Sequence, residues 1–277
     1  MPLDPLCPAC GAKTSQERAV DPAFVRCPAC GLLFRGQKAS PAELEDLNNH
    51  RLSQHDHGDD KPNLDFRFVE PEMTLLRQAA GDRLAGWRAL DVGTALGDFT
   101  AFLDHHGLQA IGLEPSAPRA AIGRAHGLDV RNGRFSREMF DREFAGERFD
   151  LISFRECLYY MDDYTETLSL CKQRLTPRGF LYIRVHVAES PHYWRGIPLT
   201  TRIGPAATVF FTRSTLIGML NRNGFSVVTT HPVPLSPGHA VEAWRLRGVV
   251  GSLASRLLGP VMPWFPPDRF VVIARPS

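Results

Sequence analysis

The 277-residue sequence contains no uninterrupted apolar run of the about twenty residues that a membrane-spanning helix needs, so no transmembrane segment is expected. The opening Met1-Pro2-Leu3-Asp4-Pro5 lacks the basic start and apolar run of a secretory signal. The expectation is a soluble cytoplasmic protein. Charge of one sign is also scarce. Lys+Arg number 32 and Asp+Glu 30, for a formal net charge of +2. Such a balance carries no strong field toward nucleic acid or an acidic membrane. Lysine is nearly missing, occurring only at Lys13, Lys38, Lys61 and Lys172, and arginine supplies the rest of the positive charge. Cysteine is sparse at 6 residues, which excludes a small fold stapled by many disulfides.

Four of those cysteines are placed with a purpose. Cys7-Pro8-Ala9-Cys10-Gly11 and Cys27-Pro28-Ala29-Cys30-Gly31 form two knuckles with 16 residues between Cys10 and Cys27. Two-residue gaps let both thiolates of a knuckle face one tetrahedral ion at about 2.3 Å, so Cys7, Cys10, Cys27 and Cys30 are candidate ligands of a structural Zn²⁺. A pair of disulfides is the alternative. Cys157 and Cys171 are expected to be buried thiols.

The centre of the chain is Ala89-Leu90-Asp91-Val92-Gly93-Thr94-Ala95-Leu96-Gly97-Asp98-Phe99. Leu90 and Val92 suit a buried strand, Gly93 and Gly97 a tight turn, and Phe99 onward the first turns of a helix. A strand, a glycine turn and a helix N-terminus make a nucleotide-binding corner, because helix amides there point at the ligand. Glu114 closes the next apolar strand about twenty residues on, where a carboxylate takes ribose hydroxyls. Dinucleotide dehydrogenases share that arrangement. The pattern here is Asp-x-Gly-x-Ala-x-Gly, however. It resembles motif I of the class I S-adenosylmethionine-dependent methyltransferases, Asp/Glu-x-Gly-x-Gly-x-Gly, with Ala95 at the middle glycine.

Further stretches extend the resemblance across residues 68–277. Phe149-Asp150-Leu151-Ile152 looks like the family's fourth-strand motif. Leu175-Thr176-Pro177-Arg178-Gly179 looks like its turn before the next strand. Phe210 to Leu216 with Asn223 to Val228 looks like its late helix and strand. Cys30-Gly31-Leu32-Leu33-Phe34 ahead of such a domain is similar to zinc-ribbon methyltransferases of sugar and natural-product pathways. Two departures stand out. Tyr160 and Ala207 fall where relatives carry histidines.

The expected organisation is a zinc ribbon over 1–38, a linker or lid over 39–66, and a methyltransferase domain over 67–277. Ala19-Val20 and Leu32 to Arg35 read as arms of the ribbon, and Ser40-Pro41 as a helix start. His50, His55 and His57 lie in a polar stretch that is a solvated linker or a metal site. Phe66 to Leu84 reads as one helix. Strands are expected at 89–93, 109–113, 128–131, 149–154 and 179–185, alternating with helices. That alternation predicts an α/β, Rossmann-like, doubly wound and mainly parallel sheet. Residues 186–209 form an insertion that caps a substrate pocket or is a surface loop. The apolar stretch 249–265 is a helix on the sheet or at a membrane surface, ahead of a closing strand at 270–274.

The resemblance implies S-adenosylmethionine as cofactor. Asp91, Gly93, Ala95 and Gly97 would form the turn, with Asp91 orienting it and reaching the methionine end. Glu114 would take both ribose hydroxyls. Arg134 and Phe135 would border the adenine, although Phe135 also fits a plain core position. Phe154 and Arg155 stand at the carboxyl end of the fourth strand. Tyr159 or Tyr160 can offer an aromatic face to a sulfonium, and Glu156, His186 and His192 are candidate bases. The leading expectation is a methyltransferase acting on a small-molecule acceptor in sugar, nucleotide-sugar or natural-product biosynthesis. An RNA methyltransferase gripping RNA by its ribbon and a catalytically inactive cofactor-binding scaffold are the alternatives.

Overall fold

The computed structural model describes residues 6–14, 24–36, 61–81, 84–189, 203–204, 206–233 and 267–277. Outside them lie Ala19-Val20, the helix start at Ser40, the histidines at 50, 55 and 57, His192 and the apolar stretch 249–265. The chain divides into two compact units. One gathers Met1–Arg51, Val185–Leu216 and His231–Val271; the other gathers Leu52–Arg184, Ile217–Thr230 and Val272–Ser277.

In the first unit, each knuckle turns on a glycine. Gly11 and Gly31 have φ of 72° and 79°, which an L side chain rarely adopts. Each donates its N–H to the carbonyl of the first cysteine, Cys7 or Cys27, at 2.8 Å. β1 (Phe24–Arg26) pairs antiparallel with β2 (Leu33–Arg35). The expected arm Leu32 to Arg35 is present as β2. β1 escaped the sequence reading because three residues are too few to show alternation. The third strand comes from far away. β8 (Val209–Phe210) pairs antiparallel with β2, and Arg35 Nε donates to the Ala207 carbonyl at 2.8 Å. The Phe24 and Phe210 rings meet with centroids 4.8 Å apart.

The larger sheet has the order β5-β4-β3-β6-β7-β10-β9. Its strands are β3 (Arg88–Val92), β4 (Gln109–Glu114), β5 (Val130–Asn132), β6 (Phe149–Arg155), β7 (Leu175–His186), β9 (Phe225–Val233) and β10 (Arg269–Pro276). The pairings β5-β4, β4-β3, β3-β6 and β6-β7 are parallel. The chain runs outward from β3 to β4 and β5, then restarts on the other side with β6 and β7. The switch point is therefore between β3 and β6, where open α/β sheets place their ligands. Every expected strand is present within a few residues, as an α/β doubly wound sheet.

Two elements differ from expectation for physical reasons. The single helix over Phe66 to Leu84 is instead a 3₁₀ turn at Phe66–Phe68 followed by α1 (Glu70–Ala80). Pro71 is tolerated only in a first turn, because its nitrogen has no proton to donate and its ring blocks the preceding turn. Gly81, at φ 73°, ends the helix. The expected turn before β7 is absorbed into the strand. Phe149 faces Leu175, but Leu151 already faces Phe180, so Thr176 to Gly179 bulge from the ladder around Pro177.

Among the described residues the further α-helices are α2 (Asp98–His105), α3 (Ala117–Ala125), α4 (Arg137–Glu143), α5 (Tyr164–Arg174) and α6 (Arg213–Arg222). α6 is the late helix expected from the sequence. Its start is closed by a reciprocal pair: Thr212 N–H donates to Thr215 Oγ1 at 2.8 Å, and Thr215 N–H to Thr212 Oγ1 at 3.1 Å.

Gly97 starts α2 at φ 100°, and a Cβ built there would lie 2.4 Å from Leu128 Cδ1. Gly97→Ala should therefore lose about 2–4 kcal/mol of stability, from left-handed strain and overpacking together, read as a lower urea midpoint at unchanged slope.

Candidate functional site

Register assembles the site. Val92 faces Leu113 on one side and Phe154 on the other, and Glu114 faces Asn132. Gly93, just after β3, therefore shares the carboxyl edge with Glu114 and Arg155, the last residues of the neighbouring β4 and β6. At that edge Gly93, Ala95 and Gly97 all take positive φ, of 69°, 55° and 100°. Glu114 holds the turn in place. Its Oε2 accepts the Ala95 N–H at 2.9 Å and its Oε1 accepts the Ser116 N–H at 2.9 Å. A carboxylate presents about four acceptor directions, so holding the turn is compatible with taking ribose hydroxyls.

Asp91 works from underneath. It is buried, and its oxygens accept from Ser153 Oγ at 2.8 Å and Thr100 Oγ1 at 3.2 Å. Thr100 in turn lies 2.7 Å from Thr94 Oγ1. The network ties β3, β6, the turn and the first part of α2 together. Burial pushes the Asp91 carboxyl above its ordinary value, with the surrounding hydroxyls and the Arg155 charge opposing it. Asp91 therefore joins β3 to β6 and to α2 through hydroxyl groups.

Among the described residues, Ala95 and Glu156 are the non-glycine positions with positive φ, the latter at 61°. Both sit at this edge, and strained backbone concentrates where a site over-determines it. Glu156 Oε2 accepts the Tyr159 hydroxyl at 3.2 Å, and Oε1 lies 3.0 Å from Arg184 Nε. The next residue, Cys157, donates its thiol to the Val92 carbonyl at 2.9 Å. Its Cβ would stand 2.8 Å from any Cβ at position 93, so Gly93 is required by contact as well as by φ.

The other expected residues are distributed unevenly. Phe154 is fully buried, its ring against Phe135 at 5.2 Å; Phe135 is half-buried and also meets Phe140 at 5.2 Å. Arg134 is exposed, 3.4 Å from Asp162. Tyr160 is half-buried, edge-on to Tyr159 at 4.7 Å. Arg155, expected to face a cofactor, has its guanidinium on Glu72, with Nε donating to Oε2 at 3.2 Å. In the first unit, His186 is buried with Nδ1 3.4 Å from Asp268 Oδ2. Glu72, Tyr182, Arg184 and Asp268 were missed. Tyr182 and Arg184 are polar residues inside the apolar-patterned β7, and that exception was the available signal, whereas Glu72 on α1 and Asp268 just before β10 carried none.

The cysteine cluster belongs to the first unit. The four thiol sulfurs of Cys7, Cys10, Cys27 and Cys30 lie within 4.8 Å of one another, with Cys7–Cys30 and Cys10–Cys27 each at 3.6 Å. None is in a disulfide. A tetrahedron with metal–sulfur bonds of about 2.3 Å has an edge of about 3.8 Å, so the spacing fits Zn²⁺. Burial pushes the Cys7 and Cys30 thiols up, Cys30 to about 11. Burial acts on Cys27 in the same direction, but backbone N–H groups of Cys30 and Ala29 outweigh it and bring the thiol down to about 7.

A family described as methyltransferase domain matches residues 49–230. Ubiquinone biosynthesis O-methyltransferase of Rhodopseudomonas palustris is 29% identical over 106 residues, covering 36% of this chain and 40% of the relative. The same-named protein of Leptothrix cholodnii is 24% identical over 155 residues, covering 53% and 63%. The chain thus spans about two fifths to two thirds of the length of these curated relatives. Among solved structures, a Burkholderia thailandensis 1,6-didemethyltoxoflavin-N1-methyltransferase with bound S-adenosylhomocysteine shares the fold. Its TM-score is 0.55 at 20% identity, over 89% of this chain and 96% of that one. A Streptomyces coelicolor geranyl diphosphate C-methyltransferase, also with S-adenosylhomocysteine, scores 0.56 at 16%, over 87% and 100%.

The raised Asp91 carboxyl sets a pH dependence. Between its ordinary value of 3.8 and its higher folded value, the native state holds a proton that the unfolded chain has released. Asp91 therefore contributes stability fully present below that ordinary value and lost as pH rises through the folded one. Urea midpoints measured across this window should fall less with rising pH in Asp91→Asn than in the wild type.

Proposed function

The chain belongs to the methyltransferase domain family, and from that premise we propose that it transfers a methyl group from S-adenosylmethionine to a small-molecule acceptor of a biosynthetic pathway. The observation that carries this is the Glu114 carboxylate bonded to the left-handed turn beside it, at the sheet's switch point. The names of the curated relatives and of the toxoflavin-type neighbour support a small acceptor. Those names span oxygen, nitrogen and carbon acceptors on one fold, so the acceptor atom is set by pocket residues and not by the sheet.

In this reading Glu114 accepts the ribose hydroxyls. The turn from Gly93 to Gly97 brings backbone close to the nucleoside, and Phe135 borders the base with Arg134 beside it. When bound, S-adenosylmethionine supplies a methyl group on a positively charged sulfur. The Tyr160 ring, or that of Tyr159, offers a face to that charge, an attraction of about 0.5–2 kcal/mol. Glu156 is the leading proton acceptor, since its carboxylate is oriented by Tyr159 and Arg184 and its backbone is strained. His186, with its Asp268 partner, and His192 are the other proton acceptors proposed. The four cysteines hold a structural zinc, which a ribbon with so small a core requires to fold.

Incubation of the purified protein with a metabolite extract should produce a compound heavier by one methylene, only when S-adenosylmethionine is added. Glu114→Ala should abolish both this product and calorimetric binding of S-adenosylmethionine while leaving the fold intact. Binding of nicotinamide dinucleotide in its place would overturn the reading.

Elemental analysis should find about one zinc per chain. Chelation should expose four titratable thiols and release amide protection in β1 and β2, whereas a metal-free but fully protected ribbon would refute the zinc assignment.

A further inference from the structure

Glu72 is a carboxylate that the motifs do not account for. It lies on α1, buried beside Met73 and Leu76, and four donors from three side chains converge on it. Oε2 accepts from the Tyr182 hydroxyl and from Arg155 Nε at 3.2 Å; Oε1 accepts from Arg184 Nη1 and from Arg155 Nη2 at 3.5 Å. Burial acts against the Arg155 cation, but Glu72, Tyr182 and Glu156 together outweigh it, so its pKa stands above the ordinary value. Burial and the same carboxylate raise the Tyr182 phenol, which stays protonated and donates.

Two of the three side chains that Glu72 fixes meet again on one ring. The Arg155 guanidinium carbon is 5.3 Å from the Phe99 centroid, and the Tyr182 ring stacks on Phe99 at 5.5 Å and 27°. Phe99 is the second residue of α2, two positions after Gly97 and at the end of the candidate nucleoside turn. Glu72 thus orients the cation and the aromatic ring that clamp the first turn of α2, whose N-terminal amides complete the turn. A buried charge pair is poor evidence for stability but good evidence for a fixed arrangement, because an unsatisfied member is costly.

We propose that Glu72 is a positioning residue for the nucleoside-binding turn, acting through Arg155 and Tyr182 on Phe99. It pre-organises the Gly93–Gly97 backbone, so less ordering remains to be done when ligand arrives. The inference rests on the reading of that turn as the S-adenosylmethionine site.

The test uses S-adenosylhomocysteine as a calorimetric probe on the full chain and needs no acceptor. Glu72→Gln should raise its Kd about ten-fold, and Phe99→Leu by a similar factor. The double variant should be no weaker than either single variant, because both changes break one linkage. A role for Glu72 in general stability alone predicts independent effects that multiply, and that result overturns the inference, as does an unchanged Kd in Glu72→Gln. Arg155→Lys keeps the charge but loses the planar group over Phe99. It carries the same cycle if Glu72→Gln does not fold, with the same two outcomes. Wild-type protein that binds no S-adenosylhomocysteine refutes the cofactor reading itself, and is thereby distinguished from a failure of Glu72 to position the turn.

Discussion

Everything at the candidate site depends on one hydrogen bond, from the Ala95 N–H to Glu114 Oε2. An alanine in the left-handed region is disfavoured by about 1–2 kcal/mol relative to its right-handed form. A charge-assisted bond from a buried carboxylate supplies compensation of about that size. The contact closes the turn onto β4 and leaves Gly93 pressed against Cys157. Beneath it, Asp91 is fastened by Ser153 and Thr100, which keeps β3 and β6 in register with the turn above. The polar groups here are therefore arranged in two tiers. The upper tier shapes the backbone of the turn, and the lower tier holds that shape against the strain.

Much of this was legible in the sequence because the decisive signals are local. Alternating apolar residues around Asp91, the two glycines and the acid closing the next strand are read within about twenty-five positions, and the structure places them side by side. The two cysteine knuckles are equally local. Legibility failed where a contact joins distant segments. Nothing near Glu72 announces partners at Arg155, Tyr182 and Arg184, since an acidic residue on a helix reads as solvent-facing until the sheet is placed beneath it. Nor does anything in Leu33-Phe34-Arg35 specify Val209-Phe210 as its neighbour. Pro71 and Pro177 misled in a different way. Each was present and visible, yet each permits two outcomes, and packing chose a late helix start in one case and a bulge in the other.

The charged groups of the second unit divide by whether they are shared. Surface pairs such as Arg67–Asp65 stand in water, and screening leaves them little to contribute. Glu72 and its donors are withdrawn from water and bonded several times over, so replacing any one member disturbs the others. Arrangements of this kind define position more than they add stability, and this one stands next to the part of the molecule where position matters most.

The ribbon sheet spans an unusual distance along the chain. All four cysteines are among the first thirty residues, but the strand that completes their sheet lies more than 170 residues later, as the Arg35–Ala207 bond shows. On a ribosome adding about 5–20 residues per second, the thiols are available to capture an ion some ten to thirty seconds before β8 emerges. With the proposed zinc bound, the nascent ribbon is over that interval an open-edged hairpin, with one side of β2 unpaired. Closure of the edge thus comes only after the strands from β3 to β7 have been made, a built-in order of assembly in which the cysteines come first, β8 completes their sheet later, and β9 and β10 follow.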